Sequence, residues 1–136
     1  MNTMMIDVNN VSFSYGRKKS KVLDGFSMQL EKGAVYGLLG KNGTGKSTLL
    51  YLMAGLLRPQ TGKVLYKGAE VTKRYPNILQ DMFLVPEEFA LPNVSLKQFD
   101  KLHAHFHPNF SEALLRKCLR DFDMNGNIHL GELSMG

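Results

Sequence analysis

Residues 40–47 read Gly40-Lys41-Asn42-Gly43-Thr44-Gly45-Lys46-Ser47. They match the pattern in which a glycine and four variable residues precede Gly-Lys-Ser or Gly-Lys-Thr. Glycines let such a loop curl until several backbone N–H groups point at one phosphate, and the positive end of the following helix attracts the same anion. Lys46 would then reach the β- and γ-phosphates, and the Ser47 hydroxyl would bind Mg²⁺. The pattern predicts a phosphate-binding loop.

The segments on either side of the loop fit this prediction. Residues 34–39 are almost continuously apolar, which is typical of a strand that is buried on both faces of a parallel sheet. A helical pattern covers residues 46–57, and we expect Pro59 and Gly62 to end that helix. Strand, loop and helix in this order are the context that a phosphate-binding loop requires.

Further strands are predicted on both sides of the loop. Apolar and polar residues alternate over residues 6–15 with one slip at Asn9-Asn10, which indicates a strand with a bulge. A second strand, over residues 26–30, is expected to pair antiparallel with the first. Short strands are expected at residues 63–66 and 82–85. Together with the helices, these strands indicate an α/β nucleotide-binding fold.

Two helices are predicted in the second half of the chain. Ser95 and Gln98 have the spacing of a capping box, so we expect a helix from Ser95 to Phe106 and another over residues 111–122. The residues expected to face inward are Leu96, Phe99, Leu102, Phe106, Ala113, Leu114, Leu115, Cys118, Leu119 and Phe122.

The composition is that of a globular domain with a modest basic excess. The chain has 136 residues, which is enough for one domain with a buried core, and its net charge is +5. The basic residues are scattered, so we interpret them as a solvated surface and do not favour a nucleic-acid partner. The apolar runs are too short for a membrane span, and the first residues do not resemble a signal peptide. Cys118 is the only cysteine, which excludes an internal disulfide.

Three segments besides the phosphate loop resemble the ATP-binding cassette (ABC) ATPases. Val11-Ser12-Phe13-Ser14-Tyr15 looks like their aromatic loop, and the segment from Val22 to Ser27 is similar to the one that follows it. Residues 56–64 resemble the turn and strand after the phosphate-loop helix. Leu133-Ser134-Met135-Gly136 is similar to the family signature, usually Leu-Ser-Gly-Gly-Gln, although Met135 replaces a glycine.

The resemblance implies ATP and Mg²⁺ as cofactors and assigns site residues to them. Tyr15 would stack on adenine, and the signature would contact the γ-phosphate of ATP held by the opposite subunit of a head-to-tail dimer. The implied nucleotide contacts are Tyr15, Val22, Gly40, Lys41, Asn42, Gly43, Thr44, Gly45, Lys46, Ser47, Thr48, Ser134 and Gly136.

Glu87 stands at a position where most members of the family carry a glutamine. That glutamine helps to hold Mg²⁺ and senses the membrane partner, so the resemblance implies a metal ligand and, with Lys46, a catalytic residue. A carboxylate is compatible with Mg²⁺. The alternative is that Glu87 is an ordinary solvated carboxylate of a loop.

The resemblance also implies an organisation for the chain. We expect one ABC-type domain over residues 1–136, with an antiparallel β-subdomain and P-loop NTPase core in residues 1–80, a connection in residues 81–94, and a helical subdomain in residues 95–136. Neither the Asp-Glu strand that follows the signature in the family nor its downstream histidine is found in this sequence. We therefore expect part of a longer ATPase, and nucleotide binding without efficient hydrolysis by these residues alone.

The function that the sequence and this resemblance favour is ATP binding by the motor subunit of an ABC transporter. A second nucleotide-binding domain and a membrane-spanning subunit would be its partners, and the chain would lie in the cytoplasm at the inner face of the membrane. Two alternatives stay open: a soluble ABC ATPase that acts on nucleic acid or ribosomes, and a nucleotide-binding module that does not hydrolyse ATP.

Two metal-binding patterns compete with this interpretation. Residues 121–132 match the calcium-binding loop of an EF-hand, with Asp121, Asp123, Asn125 and Glu132 as side-chain ligands. No second such loop is present, and we favour a polar connection. His103, His105 and His107 could bind Zn²⁺, but no cysteine or clear further ligand accompanies them, so a solvated helix end is preferred.

Overall fold

The computed structural model describes residues 4–16, 20–87 and 90–133. They belong to two compact units, Met1–Leu84 and Val85–Gly136. The boundary between the units falls inside the connection expected at residues 81–94.

The first unit contains an antiparallel sheet. Strand β1 (Met4–Phe13) pairs on one side with β2 (Leu23–Glu31) and on the other with β3 (Thr61–Tyr66), which pairs with the short β4 (Ala69–Glu70). The order in the sheet is β2-β1-β3-β4. The predicted antiparallel pairing of the first two strands is confirmed.

A bulge interrupts β1 at the expected place. The register with β2 shifts between Val8 and Val11, and Asn10 between them has a positive φ of 48°. Gly62 of β3 lies against this bulge with a φ of 75°, and a Cβ on it would be 2.3 Å from the carbonyl oxygen of Asn10. The bulge predicted from the slip at Asn9-Asn10 therefore exists, and it requires a glycine on the neighbouring strand.

Helix α1 (Lys46–Met53) follows the phosphate loop but ends four residues earlier than the pattern predicts. The N–H of Gly55 donates to the Leu52 carbonyl, and the N–H of Leu56 donates to the Tyr51 carbonyl. With Gly55 at a φ of 68°, these bonds form a Schellman motif. Gly55, rather than Pro59 or Gly62, ends the helix.

The core of the first unit lies between the sheet and α1. Its buried apolar residues are Val8, Val11, Phe13, Leu23, Leu49, Leu52, Val64, Tyr66, Val71 and Ile78. The last two are supplied by a 3₁₀ turn (Val71–Lys73) and by the short helix α2 (Pro76–Leu79).

An ion pair joins the β3–β4 turn to the segment that follows α2. The Lys67 ammonium lies 2.8 Å from a carboxylate oxygen of Asp81, and the Tyr66 hydroxyl donates to the same oxygen at 3.0 Å. The hydrogen bond from Lys67, with that from Tyr66, lowers the pKa of Asp81. The same pairing raises the pKa of Lys67.

Two segments that were predicted as strands of a parallel sheet are not strands in the structure. Residues 34–39 and 82–85 are extended or irregular, and Leu39 is 95% exposed. The prediction of buried parallel strands is wrong for the described residues because no described strand runs beside either segment to accept its backbone hydrogen bonds. The apolar side chains of residues 34–39 consequently face solvent.

The second unit is helical, as expected. Helix α3 (Leu96–His103) begins at the predicted capping box, since Ser95 Oγ accepts from the N–H of Gln98 and Gln98 Oε1 accepts from the N–H of Ser95. A 3₁₀ turn (Ala104–Phe106) continues it. Helix α4 (Glu112–Asp121) follows and is capped by Ser111.

The loop after α4 returns to the start of α3. The carbonyl oxygens of Gly126 and Ile128 accept hydrogen bonds from the N–H groups of Lys97 and Leu96 in the first turn of α3. A 3₁₀ turn (Leu130–Glu132) ends the described segment, and its Leu130 is buried.

The apolar faces of α3 and α4 are less buried than predicted. Leu102, Phe106, Leu114 and Phe122 are mostly exposed, and neither helix contains a fully buried residue. The expectation that all these side chains face inward is therefore wrong here.

Candidate nucleotide-binding site

The phosphate loop wraps around the side chain of Lys46. Its Nζ donates hydrogen bonds to the carbonyl oxygens of Gly40 at 2.6 Å and Lys41 at 2.8 Å. The Thr44 hydroxyl donates to the same Lys41 oxygen at 2.8 Å. An ammonium group has three N–H donors, and these carbonyls take two. The third can meet a phosphate oxygen at the start of α1.

Gly45 and Val22 form the support of the loop. Gly45 is the N-cap of α1 with a φ of 93°, and a Cβ on it would be 2.7 Å from a methyl carbon of Val22. The N–H of Val22 donates to the Phe13 carbonyl at 2.8 Å, which fixes its position beside β1. Val22, expected as a nucleotide contact from the resemblance, thus lies directly against the loop.

The first turn of α1 is open to an anion. No side chain caps this helix, no acidic residue lies in its first turn, and Ser47 is exposed there. Gly40, Lys41, Asn42, Gly43 and Thr44 are exposed as well. Free N–H groups at a helix N-terminus, together with an ammonium group, are the donor set that binds phosphate.

Tyr15 contacts the phosphate-loop helix through its hydroxyl group. Tyr15 Oη and Thr48 Oγ1 are 2.9 Å apart and share a hydrogen bond in which either can donate. The rings of Tyr15 and Phe13 form a T-shaped pair with centroids 5.0 Å apart and an interplanar angle of 88°. Tyr15 remains 55% exposed, so its ring can still receive a planar partner. The strand end that carries Tyr15 therefore contacts the helix that follows the phosphate loop.

Gln60 is part of this arrangement, although no sequence motif predicts its contacts. Its amide nitrogen donates to Ser14 Oγ at 2.9 Å, and its backbone N–H donates to the Ser12 carbonyl at 2.9 Å. Gln60 therefore holds the strand end that carries Tyr15. A glutamine 46 residues away along the chain has no spacing pattern that could reveal such a contact.

The other predicted site residues are Glu87, Ser134 and Gly136. Glu87 is exposed and belongs to the second unit. Ser134 and Gly136 lie outside the described residues. Within the first unit, the structure brings together Tyr15, Val22, the phosphate loop and the first turn of α1.

Neither alternative metal site is assembled in the described part of the chain, where no group of three or more His, Cys, Asp or Glu side chains could hold an ion. In the EF-hand-like segment, Asp121 pairs with Lys117, and Asn125 Oδ1 accepts from the N–H of Asn127. His103 stacks on Phe99 with ring centroids 4.1 Å apart. Asp121, Asn125 and His103 therefore make contacts with other protein groups in the structure.

Among the helices in residues 4–16, 20–87 and 90–133, none is long and apolar enough to cross a membrane.

Comparison with known proteins places the chain in a family. The chain is 32% identical over 147 aligned positions to the ribose import ATP-binding protein RbsA of Streptococcus agalactiae, covering 98% of this chain and 29% of that one. It is 36% identical over 92 residues to the methionine import ATP-binding protein MetN of Carboxydothermus hydrogenoformans, covering 64% and 27%. The chain thus spans less than a third of these two relatives.

A solved structure gives the same result. The fold matches a Pyrococcus furiosus protein described as an ABC transporter ATP-binding protein, with a TM-score of 0.76, 28% identity, and coverage of 96% of this chain and 64% of that one. The family model described as ABC transporter matches residues 23–136. Because that match covers most of the sequence, the chain belongs to the ABC transporter family.

Proposed function

We propose that this chain binds MgATP as the nucleotide-binding part of an ABC transporter. The observation that carries the proposal is the position of the Lys46 ammonium, which is held by two loop carbonyls beside the uncapped start of α1. The relatives named for ribose and methionine import differ in cargo. The names of the two relatives agree only on the ATP-binding role, so we assign no cargo.

Each site residue has a distinct task in this proposal. Lys46 and the backbone N–H groups of residues 43–48 bind the β- and γ-phosphates, and Tyr15 stacks on the adenine ring. The exposed hydroxyl of Ser47 offers an oxygen ligand to Mg²⁺, a cation that prefers oxygen. The Glu87 carboxylate would be a second oxygen ligand. Bound Mg²⁺ would neutralise charge that develops on the phosphates.

The larger assembly follows from the family resemblance. We propose a head-to-tail dimer in which Ser134 and Gly136 contact the nucleotide of the opposite subunit. This dimer would lie at the inner face of the membrane, bound to a membrane-spanning subunit. ATP hydrolysis in that dimer would drive transport, with Lys46 and Glu87 acting at the phosphates.

The proposal is tested by titrating ATP into the protein in the presence of Mg²⁺ and again in EDTA. We expect saturable binding to one site that is tighter with Mg²⁺, because the cation joins the Ser47 hydroxyl to the phosphates. In Ser47→Ala the two affinities should converge, whereas the exposed-site control Ser20→Ala should keep the difference. Absence of saturable binding in the unaltered protein would overturn the proposed function.

A further inference from the structure

The hydrogen bond between Tyr15 and Thr48 joins two parts of the site that the sequence separates by 33 residues. Thr48 lies in the first turn of α1, immediately after Lys46 and Ser47, and is only 4% exposed. A side chain this buried has little room to move. The phenol of the half-exposed Tyr15 is therefore fixed to the part of the molecule that is best placed to bind phosphate.

Two further contacts restrict the Tyr15 ring. The ring forms a T-shaped pair with Phe13, which is itself buried in the core. The hydroxyl of the preceding residue, Ser14, accepts a hydrogen bond from the Gln60 amide. The hydroxyl bond to Thr48 fixes the far end of the Tyr15 side chain, so the ring is held both by Phe13 and by the first turn of α1.

Thr48 has another possible partner within its own helix. A threonine near a helix start commonly returns its hydroxyl to a backbone carbonyl one turn earlier. Here the hydroxyl instead bonds to a tyrosine from the strand end. The described contact thus serves the Tyr15 side chain rather than the helix backbone.

We infer that Thr48 is a positioning residue, which acts on the nucleotide through Tyr15 by holding the ring in place for the adenine base. This inference rests on the proposed ATP-binding function and deepens it. A ring that is already oriented loses less conformational freedom when a base stacks on it, so the base contributes more to affinity. The same bond links recognition of the base to the helix that binds the phosphates.

The test compares MgATP with inorganic tripolyphosphate, which has phosphates but no base. Thr48→Val replaces the hydroxyl with a methyl group of the same shape, Thr48→Ser retains the hydroxyl, and Tyr15→Phe retains the ring. We expect Thr48→Val and Tyr15→Phe to weaken ATP binding by about 2- to 10-fold, as the loss of one hydrogen bond would. Tripolyphosphate binding should weaken less than ATP binding in both, and Thr48→Ser should bind ATP like the unaltered protein.

The double variant Thr48→Val/Tyr15→Phe separates this role from a general structural one. Since both substitutions break the same bond, the double variant should bind ATP no more weakly than either single variant. Equal losses for ATP and tripolyphosphate, or additive losses in the double variant, would overturn the inference but not the proposed function, because the unaltered protein would still bind ATP. If the unaltered protein bound neither ligand, the proposed function and the inference would both fail.

Discussion

Gly62 shows how a single residue connects the bulge in β1 to the neighbouring strand. Its φ of 75° is one that other residues rarely adopt, and the carbonyl oxygens of Asn9 and Asn10 occupy the space that a Cβ would need. The bulge itself was predictable, because an interrupted alternation is visible along the sequence. The need for glycine opposite it was not, because that need arises from a close approach between two strands.

We predict that Gly62→Ala destabilises the first unit more than Gly68→Ala does. Gly68 also has a positive φ, of 82°, but nothing lies within 4 Å of a Cβ placed there. Gly68→Ala should therefore lower the free energy of unfolding by only about 1–2 kcal/mol, the cost of a left-handed backbone conformation in a residue with a Cβ. Gly62→Ala should lower it by roughly 1–3 kcal/mol more, because its Cβ would clash with the bulge. Urea unfolding measures both, and equal losses would show that β3 does not press on the bulge.

The nucleotide-site residues also include some that the sequence predicts and some that it does not. Lys46, Ser47 and the loop glycines are recognisable because their spacing is local, and Tyr15 and Val22 were found through a family resemblance. The roles of Thr48 as a partner of Tyr15 and of Gln60 as a support depend on contacts across 33 and 46 residues. No sequence pattern marks contacts of that range.

At the level of secondary structure, elements fixed by local signals were predicted well. The capping box of Ser95 and Gln98 starts α3 where expected, because both of its hydrogen bonds lie within four residues. Helix α1 was predicted too long because Gly55 was not recognised as its end. Buried strands at residues 34–39 and 82–85 were predicted wrongly, because an apolar run forms a strand only where a neighbouring strand pairs with it.

The ion pair between the β3–β4 turn and the segment after α2 gives a prediction about pH. Because Lys67 and Tyr66 lower the pKa of Asp81, its ionised form favours the folded state. This contribution is present above the unfolded pKa of about 4 and is lost as the pH falls through the lower folded value. Since the pKa of Lys67 is raised, the pair persists on the alkaline side until the pH passes the usual lysine value of about 10.

Asp81→Asn should therefore be less stable than the unaltered protein near neutral pH. The difference should be modest, because the two side chains are 52% and 24% exposed, and it should shrink as the pH falls from about 5 to about 2. Thermal unfolding across this range measures it. Glu31→Gln, which removes an equal charge from the exposed end of β2, serves as the control. A difference for Asp81→Asn that is constant with pH would contradict the assignment.

On the scale of the whole molecule, the first unit presents an apolar segment to solvent. Val35, Tyr36, Leu38 and Leu39 are exposed within residues 34–39, and several neighbouring apolar side chains without cover promote association. The segment leads directly into the phosphate loop.

We predict that Val35→Lys/Leu39→Lys keeps the protein monomeric to higher concentration than the unaltered chain. The substitutions replace exposed apolar surface with charge and should leave the antiparallel sheet intact. Asn77→Lys/Gln80→Lys adds the same charge at exposed polar positions and controls for net charge. Light scattering over a concentration series gives the comparison. Equal improvement in both variants would mean that charge alone, and not the apolar segment, governs association.

Lys46 and the loop around it are proposed to bind the phosphates of ATP, and a titration of three proteins tests this. MgATP is titrated into the unaltered protein, Lys46→Ala, and Lys32→Ala, which removes an equal charge from an exposed turn of the same unit. We predict that Lys46→Ala weakens binding by roughly 10- to 100-fold, as the loss of a charge-assisted hydrogen bond would, while Lys32→Ala binds normally. Equal affinities for all three proteins would contradict the account.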